Sequence, residues 1–337
     1  MDKTLSQKIS YITFVCNIII FLEHSNLNIN YSGSLINIII LLFDKMSTPV
    51  MVWFFFITGY LYFLSYKKPT DFIAKIKSRV MTLLIPYIIW NIFGMILYWI
   101  SGEFKGLTIL QILRRSFIFF NGVGCADGPL WYIARLFTYF IFTPLIFRVF
   151  KKKDDIRFII IEICLILINI YLKTNNYSFL YFLPFFLCGA YFSLHYPQIL
   201  KKNDTSTLKT VILIICLVLF SFYVGLLDNS VLQYMYKVLA QIIFIMIIRT
   251  LKIFCEPSVF VLKSGMYIYC SHEIVFRIVR YILFHINYFN SETLQVLHII
   301  ISSGIVLISY MLLVKYAPKL YNVLVGGRND RKFRLNN

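Results

Sequence analysis

Charge is scarce in this chain. Asp, Glu, Lys and Arg make up 14% of its 337 residues, against about a quarter in ordinary soluble domains. That shortage excludes a soluble globular fold. The marks of soluble enzymes are missing as well: there is no GxSxG elbow, no Walker-type loop and no HExxH pair. Seven cysteines are present, but none stands in a CxxC or Cys/His ligand spacing. This removes a zinc site and a disulfide framework. Cys16, Cys164, Cys188, Cys216 and Cys270 lie inside apolar segments, where a thiol serves as a small buried hydrophobe. No internal repeat or low-complexity linker divides the chain. The first apolar run follows lysines, as in a signal peptide, but it holds Asn17 and no small-residue cleavage site comes after it. It reads as a retained helix. Gly122, Gly124 and Gly128 lack a strand–turn–helix setting and read as a flexible outer loop.

What is abundant is apolar surface: 59% hydrophobic residues, 18% aromatics and a mean hydropathy of +0.76. The class this defines is an all-α polytopic membrane bundle. Runs of spanning length predict ten helices, over 9–25, 47–66, 80–100, 130–148, 156–172, 178–194, 209–227, 231–249, 265–286 and 293–314. Segment 106–120 is split by Arg114 and Arg115 and reads as an interfacial or re-entrant piece. The many Tyr and Phe side chains suit lipid-facing and belt positions.

The net charge is +18. With the N-terminus inside, 24 of the 33 Lys and Arg fall on inner loops and termini and five on outer ones. By the positive-inside rule both termini are cytoplasmic, and the basic balance needs no nucleic acid. Residues 1–320 then form one transmembrane domain. Residues 321–337 form a basic cytoplasmic tail suited to an anionic leaflet.

Ionisable residues inside a membrane are costly and point to function unless paired. Glu23 and His24 close the first apolar run. His24, Asn17, Thr13, Ser10 and Ser6 return to one helix face, a polar stripe that faces protein or water rather than lipid. Further along stand Arg135, Glu162, Lys237, His272, Glu273, Arg277 and Arg280. Arg277 and Arg280 share a face and call for a wet or paired interior, which could hold an anionic group. An ion pair of Glu273 with Arg277 at i,i+4 is the plainer reading. Lys237 and Glu162 read as structural.

Several motifs, taken in order, resemble acyltransferase family 3, the integral membrane acyltransferases that include O-acetyltransferases of cell-surface polysaccharides. The first helix ends in Glu23-His24-Ser25. The second carries Pro49-Val50-Met51-Val52-Trp53-Phe54-Phe55-Phe56-Ile57-Thr58-Gly59-Tyr60. Lys77-Ser78-Arg79 leads into Leu84-Ile85-Pro86-Tyr87. Gly128-Pro129-Leu130-Trp131-Tyr132, Phe182-Leu183-Pro184 with Gly189, and Tyr267-Ile268-Tyr269-Cys270-Ser271-His272 follow. The likeness covers roughly residues 9–320. One departure stands out: the family commonly has an Arg eleven residues before the first-helix His, and here Thr13 holds that place.

The resemblance implies transfer of an acyl group, usually acetyl, from cytoplasmic acyl-CoA to a hydroxyl of a glycan, within the cell membrane and without a metal. It implies His24 as the catalytic histidine with Glu23 beside it; an imidazole exchanges protons near neutral pH. Lys77 and Arg79 are expected to meet the phosphates of acyl-CoA, or to be ordinary positive-inside charge. Arg135, His272, Arg277 and Arg280 are expected to line the acceptor site. Two rival readings remain at this level: a polysaccharide exporter or flippase using the same polar interior, and a glycosyltransferase with an outer-loop acid such as Asp44.

Overall fold

The computed structural model describes residues 2–27, 35–66, 68–117, 126–174, 178–201, 205–225, 229–285 and 290–327. Gly122 and Gly124 of the expected glycine loop, and residues 328–337 of the tail, lie outside the described residues. The described chain is helical throughout. In order come α1 (Lys3–His24), α2 (Leu35–Leu64), α3 (Asp71–Arg79), α4 (Ile85–Ile100), α5 (Ile109–Phe117), α6 (Trp131–Ile141) and α7 (Thr143–Phe150). Then follow α8 (Asp155–Tyr171), α9 (Leu183–His195), α10 (Thr207–Gly225), α11 (Ser230–Thr250), α12 (Val259–His285), α13 (Ser291–Tyr316) and α14 (Pro318–Leu324).

Among the described residues six helical stretches are long and apolar enough to cross a membrane, and the α6–α7 pair makes a seventh if counted as one span. The other three expected spans fall on α8 with 17 residues, α9 with 13 and the 27-residue α12, which carries Lys263, Glu273, Arg277 and Arg280. The protein is a polytopic helical membrane protein.

Three boundaries differ from the sequence expectation. Helix α2 begins at Leu35 rather than Ser47 and carries Pro49 in its interior. A proline reads as a first-turn residue, but the apolar run before it extends the helix upstream. Helices α3 and α4 are joined by a π-helical stretch, Val80–Leu84, into one rod from Asp71 to Ile100. The span expected from residue 80 therefore starts nine residues earlier, on a basic turn that hydropathy discounts. The span expected straight over 130–148 is bent by 57° between α6 and α7. Pro144, in the first turn of α7, has no N–H to continue the ladder.

The chain divides into two compact units. The first gathers Met1–Ile20, Leu41–Ile73 and Ile141–Val261. Its α2 and α9 cross at glycines. A Cβ on Gly189 would run into the Phe56 carbonyl and lie 2.8 Å from the Tyr60 nitrogen; one on Gly59 would run into the Phe186 carbonyl. The aromatic run before Gly59 packs around this crossing, Phe55 stacking on Phe182 at 4.7 Å. Small residues that let backbones meet are how helices associate in lipid. Lys237 is buried in this unit, 3.8 Å from the Tyr181 ring centre and 4.2 Å from that of Tyr234, and donates to the Tyr181 hydroxyl. Aromatic faces thus take up its charge. On α1 the buried face is Leu5, Ile9, Ile12, Cys16 and Ile20, one residue ahead of the polar stripe, so Ser6, Ser10, Thr13 and Asn17 lie at its flank.

The second unit gathers Phe21–Ile40, Ala74–Phe140 and Leu262–Asn337. Helices α12 and α13 are joined by the Tyr267 hydroxyl donating to Ser309 Oγ at 2.9 Å. Helix α14 runs across residue 320 and closes on both neighbours. The Tyr321 hydroxyl donates to the Lys263 carbonyl at 2.8 Å, and Trp90 Nε1 on α4 donates to the Leu324 carbonyl at 3.0 Å. After α14 the chain turns back through Gly326, at φ +74°, against the backbone of Thr82. A side chain there meets both a forbidden backbone region and a wall.

Candidate active site

Within the second unit, α12 and α13 converge on the end of α1. The chain after His24 is clamped through its backbone. The Ser25 carbonyl accepts from Gln295 Nε2 at 3.0 Å and from His298 Nδ1 at 2.9 Å, both on α13. The Leu27 amide donates to Gln295 Oε1 at 3.0 Å, and Arg280 Nη2 on α12 donates to the Asn26 carbonyl at 3.3 Å. An amide side chain that donates and accepts at once fits the unpaired carbonyl and N–H groups left by a helix end.

His24 Nε2 lies 3.2 Å from Glu23 Oε2, and the His24 side chain is 30% exposed. A carboxylate there accepts a hydrogen bond from Nε2–H, and in the neutral ring this leaves Nδ1 as the bare nitrogen. The His24 ring centre is 5.2 Å from that of His272 on α12. His272 is 1% exposed, and its Nδ1 lies 3.0 Å from the Ile268 carbonyl. A carbonyl only accepts, so His272 carries its proton on Nδ1. Its Nε2 is buried without a partner among the described residues. The site therefore offers two imidazoles side by side, each with one nitrogen held and one open. Phe21 and Phe276, 4.7 Å apart, wall off one side.

One turn above His272, Arg277 Nε donates to Glu273 Oε1 at 2.8 Å, and the guanidinium lies 4.2 Å from the ring centre of Tyr98. This is the i,i+4 ion pair expected from the sequence, with an aromatic face added. It is flanked by one face of α4, where Tyr87, Asn91, Gly94 and Tyr98 recur at spacings of four, three and four. Gly94 is required here: a Cβ would stand 2.7 Å from the Ala126 carbonyl carbon and 2.9 Å from the Asp127 nitrogen. The Asp127 amide donates to Asn91 Oδ1 at 3.4 Å. On the far side, the Tyr269 hydroxyl of α12 donates to the Pro129 carbonyl. The short 3₁₀ turn Gly128–Leu130 is thereby pinned between α4 and α12.

The residues picked from sequence do not all meet. Glu23, His24, His272, Arg277 and Arg280 come together. Of the two guanidiniums expected to line an anion site, Arg277 is paired with Glu273 and lies over Tyr98, while Arg280 gives Nη2 to the Asn26 carbonyl and keeps Nε buried without a partner among the described residues. Arg135 is buried on α6. Lys77 is exposed at the end of α3, and the Arg79 guanidinium lies 5.2 Å from the Phe140 ring centre. From Arg79 to Tyr98 the rod of α3 and α4 rises about 28 Å, at 1.5 Å per residue. The basic end and the imidazole pair thus mark opposite ends of one rod. Asn91, Tyr98 and Asp127 were not singled out from sequence. The signal was there, in the i,i+4,i+7,i+11 spacing on α4 and in an acid directly before Gly128-Pro129.

Membrane-spanning helices with two histidine rings side by side define a class of integral membrane proteins with polar groups held among apolar helices. Comparison with known families makes the class specific. A family model described as an acyltransferase domain matches residues 8–314, and the chain belongs to that family, acyltransferase family 3. No curated protein and no solved structure matches the chain.

Proposed function

We propose that this protein is a membrane O-acyltransferase that takes an acyl group, acetyl by the family's habit, from cytoplasmic acyl-CoA and places it on a hydroxyl of a cell-surface polysaccharide or its lipid-linked precursor. The observation that carries this reading is the imidazole pair, with His24 oriented by Glu23. In the step envisaged, the acceptor oxygen forms a bond to the thioester carbonyl carbon while its proton passes to His24 Nδ1. The carbon–sulfur bond then breaks, and the CoA thiolate takes that proton back from the imidazolium. His272 Nε2 accepts a hydrogen bond from a second group of the acceptor. Lys77 and Arg79, at the other end of the rod, meet the CoA phosphates by charge-assisted hydrogen bonds.

The test uses membranes containing the protein, supplied with labelled acetyl-CoA. Label is expected in the glycan fraction, and its absence there, with the protein inserted, overturns the reading. Thr13, where the family commonly has Arg, would then favour an exporter or flippase. Neutralising Lys77 and Arg79 together is expected to raise the Michaelis constant for acetyl-CoA at least tenfold, leaving that for the acceptor unchanged. Two charge-assisted contacts at about 1.5–3 kcal/mol each permit that much. Orientation is checked separately: reporters fused after Lys152 should read cytoplasmic, and reporters near Lys105 outside.

A further inference from the structure

Asp127 is an acid with no structural employment. It is 0% exposed, and neither carboxyl oxygen has a hydrogen-bond partner among the described residues. Although it stands at the N-cap of the Gly128–Leu130 turn, its side chain caps nothing. A buried polar group left unsatisfied costs about 1–3 kcal/mol, more if charged. The fold nevertheless fixes this residue with care, through its own amide on Asn91, through the space left by Gly94 and through Tyr269 on Pro129. Glu273 and Arg277 lie close enough for their charges to act on it, and His24 lies within electrostatic reach of Glu273. A costly group held in place beside a reaction centre awaits a partner from outside the chain.

We propose that Asp127 binds the acceptor, its carboxyl group pairing with neighbouring hydroxyls of a sugar-like polyol whose reacting hydroxyl lies at the imidazole pair. This rests on the acyl-transfer reading above and adds to it the residue that holds the acceptor. The loop of Asp127 reaches the imidazole pair through Tyr269, whose hydroxyl donates to the Pro129 carbonyl and whose ring centre lies 6.2 Å from that of His272. Asp127 lies in the loop outside the spanning helices, and burial, then the Glu273 charge, push its carboxyl well above the usual carboxylate range against the pull of Arg277. A protonated carboxyl offers one donor and one acceptor, the same pair that a sugar hydroxyl presents in reverse.

The experiment measures binding, independent of turnover. Full-length protein in detergent is heated with methyl β-glucoside, for wild type, Asp127→Asn and Asp127→Ala. Methyl β-glucoside is expected to stabilise the wild type. Both variants should need at least tenfold more glucoside for the same shift, while their melting without sugar stays unchanged or rises. Undiminished glucoside binding by the variants overturns the proposal. So does a wild type that the glucoside does not stabilise, or a loss of fold in Asp127→Asn, which would make the carboxyl structural. Asp127-dependent binding together with no transfer of label from acetyl-CoA would leave Asp127 standing and overturn the acyl-transfer reading instead.

Discussion

His24→Ala is expected to stop acyl transfer while the protein still inserts and accumulates. A positioned general base contributes typically 10²–10⁴-fold, so transfer should fall by at least 100-fold. The fold should survive because the end of α1 is held elsewhere. Gln295, His298 and Arg280 grip the carbonyls of Ser25 and Asn26. The His24 side chain itself, partly exposed, meets Glu23 and His272. The measurement is labelled acetyl transfer normalised to folded protein by size-exclusion chromatography. Transfer at the wild-type rate from His24→Ala would remove the histidine from the chemistry. Loss of activity together with loss of folded protein would make the residue a structural one.

The second large effect is on folding and lies in the other unit. Gly189→Leu is expected to prevent accumulation of folded protein, and Gly189→Ala to destabilise it measurably. A methyl group at Gly189 collides with the backbone of α2 rather than with a side chain that can swing away. Overpacking a tight contact typically costs about 1–3 kcal/mol, and a backbone wall leaves little room for relief. Thermal unfolding in detergent reads the alanine variant and folded yield reads the leucine variant. An alanine variant that melts with the wild type would show that α2 and α9 separate freely at this crossing.

These outcomes also mark what a reader of the bare sequence can and cannot reach. Hydropathy finds the helices because lipid demands long apolar runs, so each of the ten expected spans lies on a helix or on the bent pair α6–α7. It misplaces their ends where polar turns remain helical, as at Asp71–Arg79 and before Pro49. The histidines and arginines draw attention because charge inside a membrane is costly. The same reasoning passes over Asn91 and Tyr98, which cost little and matter only by the face they share. It passes over Asp127 because the acid sits in a loop, where acids are ordinary. The approach of Gly94 to Ala126, and the burial of Ala126 and Asp127, show that this acid is enclosed. The glycines of the aromatic motifs could be seen in the sequence, but their meaning needed the two backbones in contact.

The clamp on Ser25 has a consequence for how the protein is made. His24 leaves the ribosome among the first residues, yet the groups that hold its helix end come late, His298 being 273 residues beyond Ser25. At about 5–20 residues per second the interval is on the order of 15–55 s. Through that time the histidine enters the bilayer with its neighbouring carbonyls unanchored, and the centre comes into being only when the thirteenth helix is delivered. A nascent or prematurely ended chain therefore carries the imidazole of α1 without the clamp that fixes its helix end, and on the proposed acyl-transfer reading activity waits until the insertion of the whole molecule is nearly complete.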